Sequence, residues 1–252
     1  MKHGYLILGI IYLSFMAPLQ SSNEEMKKFN TYINKAISDA NIAGMAIAIV
    51  SGDSIIFTQG YGYSDIQTKE PFTPNTVINI ASISKTFVGV ALMNLVENGL
   101  ISLDEDVNTF LPFKVQNPYL PESIITPRHL MSHSSGIQDN QKVYLPSYHY
   151  GGDSPIPLGE FLADYLSQHG THYSKKNFTK SKPGEKFVYS NIGAGLAGYI
   201  VERVSGKPLN VFTREIIFKP LGMNNTCWLL SEMDREKHSR LYESKKNNTL
   251  LD

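Results

Sequence analysis

The segment GMAIAIVSGDSIIFTQGYG, residues 44–62, restricts the fold of this chain more than any other. Two apolar runs rich in Ile and Val flank Ser51, Gly52 and Asp53, which is the composition of a β-hairpin and its turn. An isolated hairpin is marginally stable in water and needs further strands, or a helix, against its apolar face. A helix is at hand. Residues 24–39 place Met26, Phe29, Ile33 and Ile37 on one side at helical spacing. After the hairpin the chain reads as helices and irregular segments, so the expectation is an α+β fold whose sheet looks unfinished.

The helices are marked by period and by end signals. Phe87, Val88, Ala91, Leu92, Leu95 and Val96 recur at helical spacing and stop at Asn98-Gly99. In "ITPRHLMSHSSGI" (125–137), Thr126 is a candidate N-cap and Pro127 suits the first turn. Residues 138–185 are rich in Tyr, Gly, Ser, Pro and Lys and lack a period, which predicts a long loop region with one helix at 158–167. "IGAGLAGYIVERVSGKP" then predicts a helix ending at Gly206, followed by a shorter one over 209–217. After Trp228 the chain turns charged and polar, with no further apolar strand.

Two short motifs carry chemistry. "NIASISKTFVG" (79–89) sets Ser82 at the start of a helix with Lys85 one turn on, on the same face. The first turn of a helix favours acids, so Lys85 goes against the preference there. Two readings fit: an N-capping serine beside a solvated lysine, or a nucleophile beside the amine that activates it. A serine hydroxyl attacks poorly until a neighbouring base takes its proton. "PGEKFVYSNIG" (183–193) holds the second motif, Tyr189 and Asn191. In an extended segment both would point to one side. A phenol among cations can serve as a base, and a carboxamide can orient a lysine or a substrate amide. Tyr32 and Asn34 repeat the spacing on the first predicted helix and read as helix surface.

Taken together, these segments resemble the serine β-lactamase and penicillin-binding-protein superfamily, in its class C-like branch. "INIASISKTFVGVALMNLVENGLISLDEDVNTFLP" is similar to the nucleophile helix and the loop after it. "ITPRHLMSHSSGI" resembles the branch's Leu-x-x-His-Thr-Ser-Gly segment, with Ser134 in the threonine place. "PGEKFVYSNIGAGLAGYIVERVSGKPL" resembles the tyrosine motif and the helix that follows, and the likeness runs in family order from about residue 24 to 230. The resemblance implies a β-lactamase/DD-peptidase-like fold: an antiparallel sheet flanked by helices, plus a helical subdomain. It implies an acyl-enzyme mechanism on amide or ester bonds, without cofactor, in β-lactams, D-amino-acid peptides or esters. Ser82 would be the acylated nucleophile, with one oxyanion donor from its own backbone N–H. Lys85 would be its proton-handling partner, Tyr189 the general base and Asn191 a positioning group.

One feature departs from the pattern. The family's third motif, Lys or His, then Ser or Thr, then Gly, has no counterpart after Asn191; "VSGK" at 204–207 offers Val204 in the basic place. The C-terminal strands that border the site in relatives are expected to be absent from this chain, which reads as a fragment, a truncated product or a degenerate paralogue. The alternative function is then a non-catalytic ligand-binding module of the same family.

The remaining features limit partners and place. Lys and Arg (23) balance Asp and Glu (23), so the formal net charge is zero and nothing suggests a nucleic-acid partner. The expected partner is a small-molecule or peptide substrate. Lys2 and His3 precede an uncharged run from Gly4 to Leu19, which predicts an export signal over 1–22 and one hydrolase domain over 23–252. That implies a periplasmic or extracellular protein without a stable membrane span once the signal is removed. Cys227 is the only cysteine, so no internal disulfide can form. The seven histidines do not pair with acids at metal-ligand spacing, and no metal is expected. His133, beside Leu130 and Ile137, reads as a hydrogen-bonded structural histidine.

Overall fold

The computed structural model describes residues 23–149, 151–243 and 249–250; the expected export signal at 1–22 lies outside them. The described residues fall into two compact units, 23–76 with 239–243 and 249–250, and 77–238.

The first unit is built on the hairpin. Helix α1 (Asn23–Asp39) opens with Glu24 and Glu25, whose charges suit the positive helix start. Its apolar side holds Met26, Phe29 and Ile33, half-buried, and Ile37, buried. Strands β1 (Gly44–Ser51) and β2 (Ser54–Asp65) pair antiparallel around Gly52, whose φ of +56° suits a residue without Cβ. The register slips between Ile49 and Val50, a bulge. Helix α1 covers the hairpin through Phe29, edge-on to Phe57 with ring centres 5.6 Å apart, and through Tyr61, whose hydroxyl donates to Asn30 Oδ1 at 2.5 Å. A two-residue strand β3 (Glu70–Pro71) extends the sheet. The chain passes so close here that a Cβ on Gly60 would lie 1.9 Å from the Phe72 carbonyl oxygen. Strands β4 (Tyr242–Glu243) and β5 (Thr249–Leu250) form a separate antiparallel pair. Neither is an apolar run, so the sequence pattern does not announce them.

The second unit is helical. A 3-10 turn over Ala81–Ile83 runs into α2 (Ser84–Glu97). That helix stops at a left-handed Gly99, with Gly99 N–H donating to Val96 O and Leu100 N–H to Leu95 O, the paired bonds of a Schellman ending. Helix α3 (Pro127–Met131) has the cap read from sequence: the Thr126 side chain accepts from His129 N, and His129 Nδ1 accepts from Thr126 N. Helices α4 (Gln141–Tyr144) and α5 (Leu158–Leu166) follow, then α6 (Asn191–Ser205), capped by Ser190 and closed by left-handed Gly206. Helix α7 (Leu209–Thr213) is shorter than the expected 209–217, because the chain loosens into a π turn over Arg214–Phe218.

Helices α2 and α6 form the centre of this unit. Ser82 meets Tyr189 at one end and Val88 meets Gly198 further along, so the two helices advance side by side in the same direction. Ala91, Leu92, Leu196, Ala197, Ile200 and Val201 are wholly buried between them and their neighbours. The aperiodic segment 138–185 is ordered by amides instead. Asn177 is wholly buried; its Nδ2 donates to the Tyr165 and His172 carbonyls, and its Oδ1 accepts from Asn140 Nδ2. Such pairing repays the cost of burying a carboxamide.

Candidate active site

The chain approaches Ser82 through an unfavourable bend. Ala81 has φ of +46°, a left-handed conformation that costs an L-residue roughly 1–2 kcal/mol. The bend delivers an exposed Ser82 onto the 3-10 turn, one turn ahead of Lys85. Lys85 Nζ donates to Ser82 Oγ at 3.1 Å, and the Tyr189 hydroxyl donates to the same oxygen at 2.7 Å. Lys85 Nζ also lies 5.0 Å from the centre of the Tyr189 ring. A hydrogen bond from Lys85 is the first cause that holds the Tyr189 phenol below its ordinary range; the Ser82 contact adds to it, and Asp139 opposes it. The arrangement gives the serine a partner able to take its proton and a cation that favours the partner's charged form.

His133 sets where Tyr189 stands. Its own φ is +53°, its carbonyl accepts from Val188 N–H at 2.7 Å, and its Nδ1 accepts from Ser190 N–H at 3.3 Å. The two rings lie 4.4 Å apart, centre to centre. Burial, with Lys85 next, pushes the His133 imidazole below its usual range, which keeps it neutral with Nδ1 free to accept. The histidine is hydrogen-bonded scaffolding beside the site.

Ser82, Lys85 and Tyr189 come together, whereas Asn191 is turned differently from the sequence expectation. Ser190 is extended (φ −139°, ψ 121°), but Asn191 is already the first residue of α6. Its Nδ2 donates to Asp139 Oδ2 at 2.7 Å. Asp139 is the group that sequence reasoning missed. Its carboxylate also accepts from Ser190 Oγ (3.0 Å), Asn191 N (3.1 Å) and Ile192 N (3.1 Å). A carboxylate at the start of a 15-residue helix meets free N–H groups and positive potential. The only hint in sequence is an acid just after the Ser134-Ser135-Gly136 turn, ahead of a segment without period. Among the described residues no cluster of three or more His, Cys, Asp or Glu could hold a metal ion. No helix among them is long and apolar enough to cross a membrane.

A seryl oxygen shared by a lysine and a tyrosine, at the joint start of two parallel helices, fits one class of fold: the penicillin-recognising, β-lactamase type. The chain belongs to the Beta-lactamase family, whose model matches residues 27–252. It is 28% identical over 220 residues to Protein flp of Staphylococcus aureus (strain MRSA252), covering 87% of this chain and 41% of that protein. It is 30% identical over 184 residues to Penicillin-binding protein 4* of Bacillus subtilis (strain 168), covering 73% and 37%. Among solved structures it superposes on the octameric penicillin-binding protein homologue from Pyrococcus abyssi with a TM-score of 0.74 at 30% identity, covering 90% of this chain and 50% of that one. The chain therefore spans about two fifths of the length of these curated relatives, 41% and 37%.

Proposed function

We propose that this chain carries the acylation site of a serine hydrolase acting on amide or ester bonds: β-lactams, D-amino-acid peptides or esters. The observation that carries this reading is the Ser82 oxygen held at once by Lys85 Nζ (3.1 Å) and Tyr189 OH (2.7 Å). Similarity to penicillin-binding relatives supports it.

In this reading Ser82 Oγ attacks the carbonyl carbon while its proton passes to the Tyr189 phenolate, with Lys85 stabilising the charge. The Ser82 backbone N–H donates to the developing oxyanion, an interaction strongest in the transition state. The tyrosine then returns the proton to the leaving nitrogen or oxygen as its bond to carbon breaks. Water enters and gives one proton to the same base as its oxygen attacks the acyl carbon; the tyrosine passes that proton to Ser82 Oγ as the seryl C–O bond breaks, which frees the acid and restores serine and phenolate. The hydrolase domain spans 23–252, preceded by an export signal at 1–22, and the protein works outside the cytoplasm. A fluorophosphonate or a fluorescent penicillin tests the assignment. The expected result is one label, located by peptide mass at Ser82 and lost in Ser82→Ala. Label that survives this substitution overturns the choice of nucleophile, and penicillin retained without covalent attachment favours a binding module instead.

A further inference from the structure

Two histidines on one short stretch hold the segment that carries Tyr189, and both use the same ring nitrogen. His129 Nδ1 accepts from Thr126 N–H and His133 Nδ1 accepts from Ser190 N–H, each at 3.3 Å. Nδ1 can accept only in a neutral ring whose proton sits on Nε2. Thr126 and Ser190 are buried, at 4% and 1% exposure, so neither N–H has water to turn to when its acceptor is lost. Around these bonds the backbones of 129–134 and 184–188 are laced together: Ser134 N–H donates to His129 O, Gly184 N–H to Ser134 O, and Val188 N–H to His133 O. The His129 ring lies against left-handed Gly184, where a Cβ would meet Nε2 at 3.2 Å. The His133 ring lies 4.4 Å from that of Tyr189 and meets Phe187 edge-on at 5.7 Å.

A proton added to either ring goes to Nδ1 and turns the acceptor into a donor aimed at another donor. Each ring faces one cation and one carboxylate. Lys85 and Asp139 act on His133, with Tyr189 as its third titratable neighbour, and Arg128 and Asp104 act on His129. Both carboxylates are already engaged: Asp139 holds four donors at the start of α6, and Asp104 takes two bonds from Arg128 at 2.7 Å. Burial is the first cause in both cases, and it holds both imidazoles below their ordinary range near 6.5. The folded rings thus take up protons less readily than the unfolded ones. Their hold on the segment is complete above pH 6.5 and is lost as the pH falls through the folded pKa.

We propose that His129 and His133 are positioning residues that clasp the Tyr189 segment only while both rings are neutral, so that acid releases Tyr189 from Ser82 without unfolding the helices around it. The effect on turnover rests on the reading of Tyr189 as the base; the clasp itself does not.

The test is amide hydrogen exchange read by mass spectrometry between pH 7.5 and 5.0, normalised for the intrinsic pH dependence of exchange. In the wild-type chain, peptides covering 184–190 should lose most of their protection as the pH falls below 6.5, while peptides from the body of α6 keep theirs. The double variant His129→Asn, His133→Asn places an amide oxygen near each Nδ1, which accepts but does not titrate. Its 184–190 peptides should stay protected down to pH 5.0. A wild-type segment equally protected across the range, or a double variant that opens as the wild type does, overturns the proposal. Should the variant fold poorly, the ring 15N shifts of the wild type give a second reading: both Nδ1 atoms should be unprotonated at pH 7.5, and a proton on either one is equally fatal. The acylation rate of the variant divided by that of the wild type cancels the titration of Tyr189 itself and should rise as the pH falls. A flat ratio together with the expected loss of protection upholds the clasp and sinks the reading of Tyr189 as the base.

Discussion

At the residue scale, Tyr189 is an acid whose charged form is favoured by Lys85 and opposed by Asp139. If its phenolate is the base, the acylation rate rises with pH through the Tyr189 pKa, which lies below the ordinary phenol range near 10. Lys85→Met removes the hydrogen bond and the positive charge. The phenol then moves back up, and the rising limb of the pH–rate profile should shift to higher pH, along with a lower plateau. Stopped-flow acylation from pH 6 to 11 measures both; a limb that stays in place would show that another group titrates. Ser82 and Lys85 were legible because they stand one helical turn apart, and Tyr189 because it forms its own short motif with Asn191, although its contact with Ser82 spans 107 positions. Asp139 was not, since its role depends on a contact with residues about fifty positions away. The left-handed Ala81 was equally hidden, because alanine gives no sequence signal for a positive φ.

At the scale of elements, the start of α6 bears the most weight. Ser190 Oγ accepts from Gly193 N at 2.9 Å and donates to Asp139 at 3.0 Å. Ser190→Ala removes the cap and one bond of the carboxylate, and should cost about 1–2 kcal/mol of stability. Urea unfolding followed by circular dichroism gives the value, and a change under 0.3 kcal/mol would mean that the backbone bonds to Asp139 suffice as a cap. Helices α1, α2 and α6 were readable from period and end signals, since each buries one face and ends at a residue suited to ending it. What escaped was structure without period. The π turn at Arg214–Phe218 inserts into an otherwise helical pattern. Strands β3, β4 and β5 are two residues each, too short to show alternation. The segment around Asn140, Asp164 and Asn177 is held by side-chain amides and a carboxylate rather than by an apolar face.

At the scale of the whole molecule, every group of the candidate site lies within the unit 77–238, so the geometry of Ser82 depends on how that unit folds. Its folding hinges in part on Asn177, which enters the interior with its carboxamide pointed at two carbonyls. Asn177, Phe178 and Thr179 also spell an N-glycosylation sequon, as do Asn224, Asn225 and Thr226. Asn224 is exposed and could carry a sugar after folding; Asn177 is wholly buried and could not. Eukaryotic secretory pathways attach glycans while the chain is still emerging, before any such burial is complete. A yeast or mammalian host should therefore divide the product. Chains modified at Asn177 would be retained or aggregated, and secreted chains would carry sugar at Asn224 but none at Asn177. Replacing the sequon by Thr179→Val should raise the secreted yield, while glycopeptide mapping that finds Asn177 occupied in folded, secreted protein would contradict the buried amide.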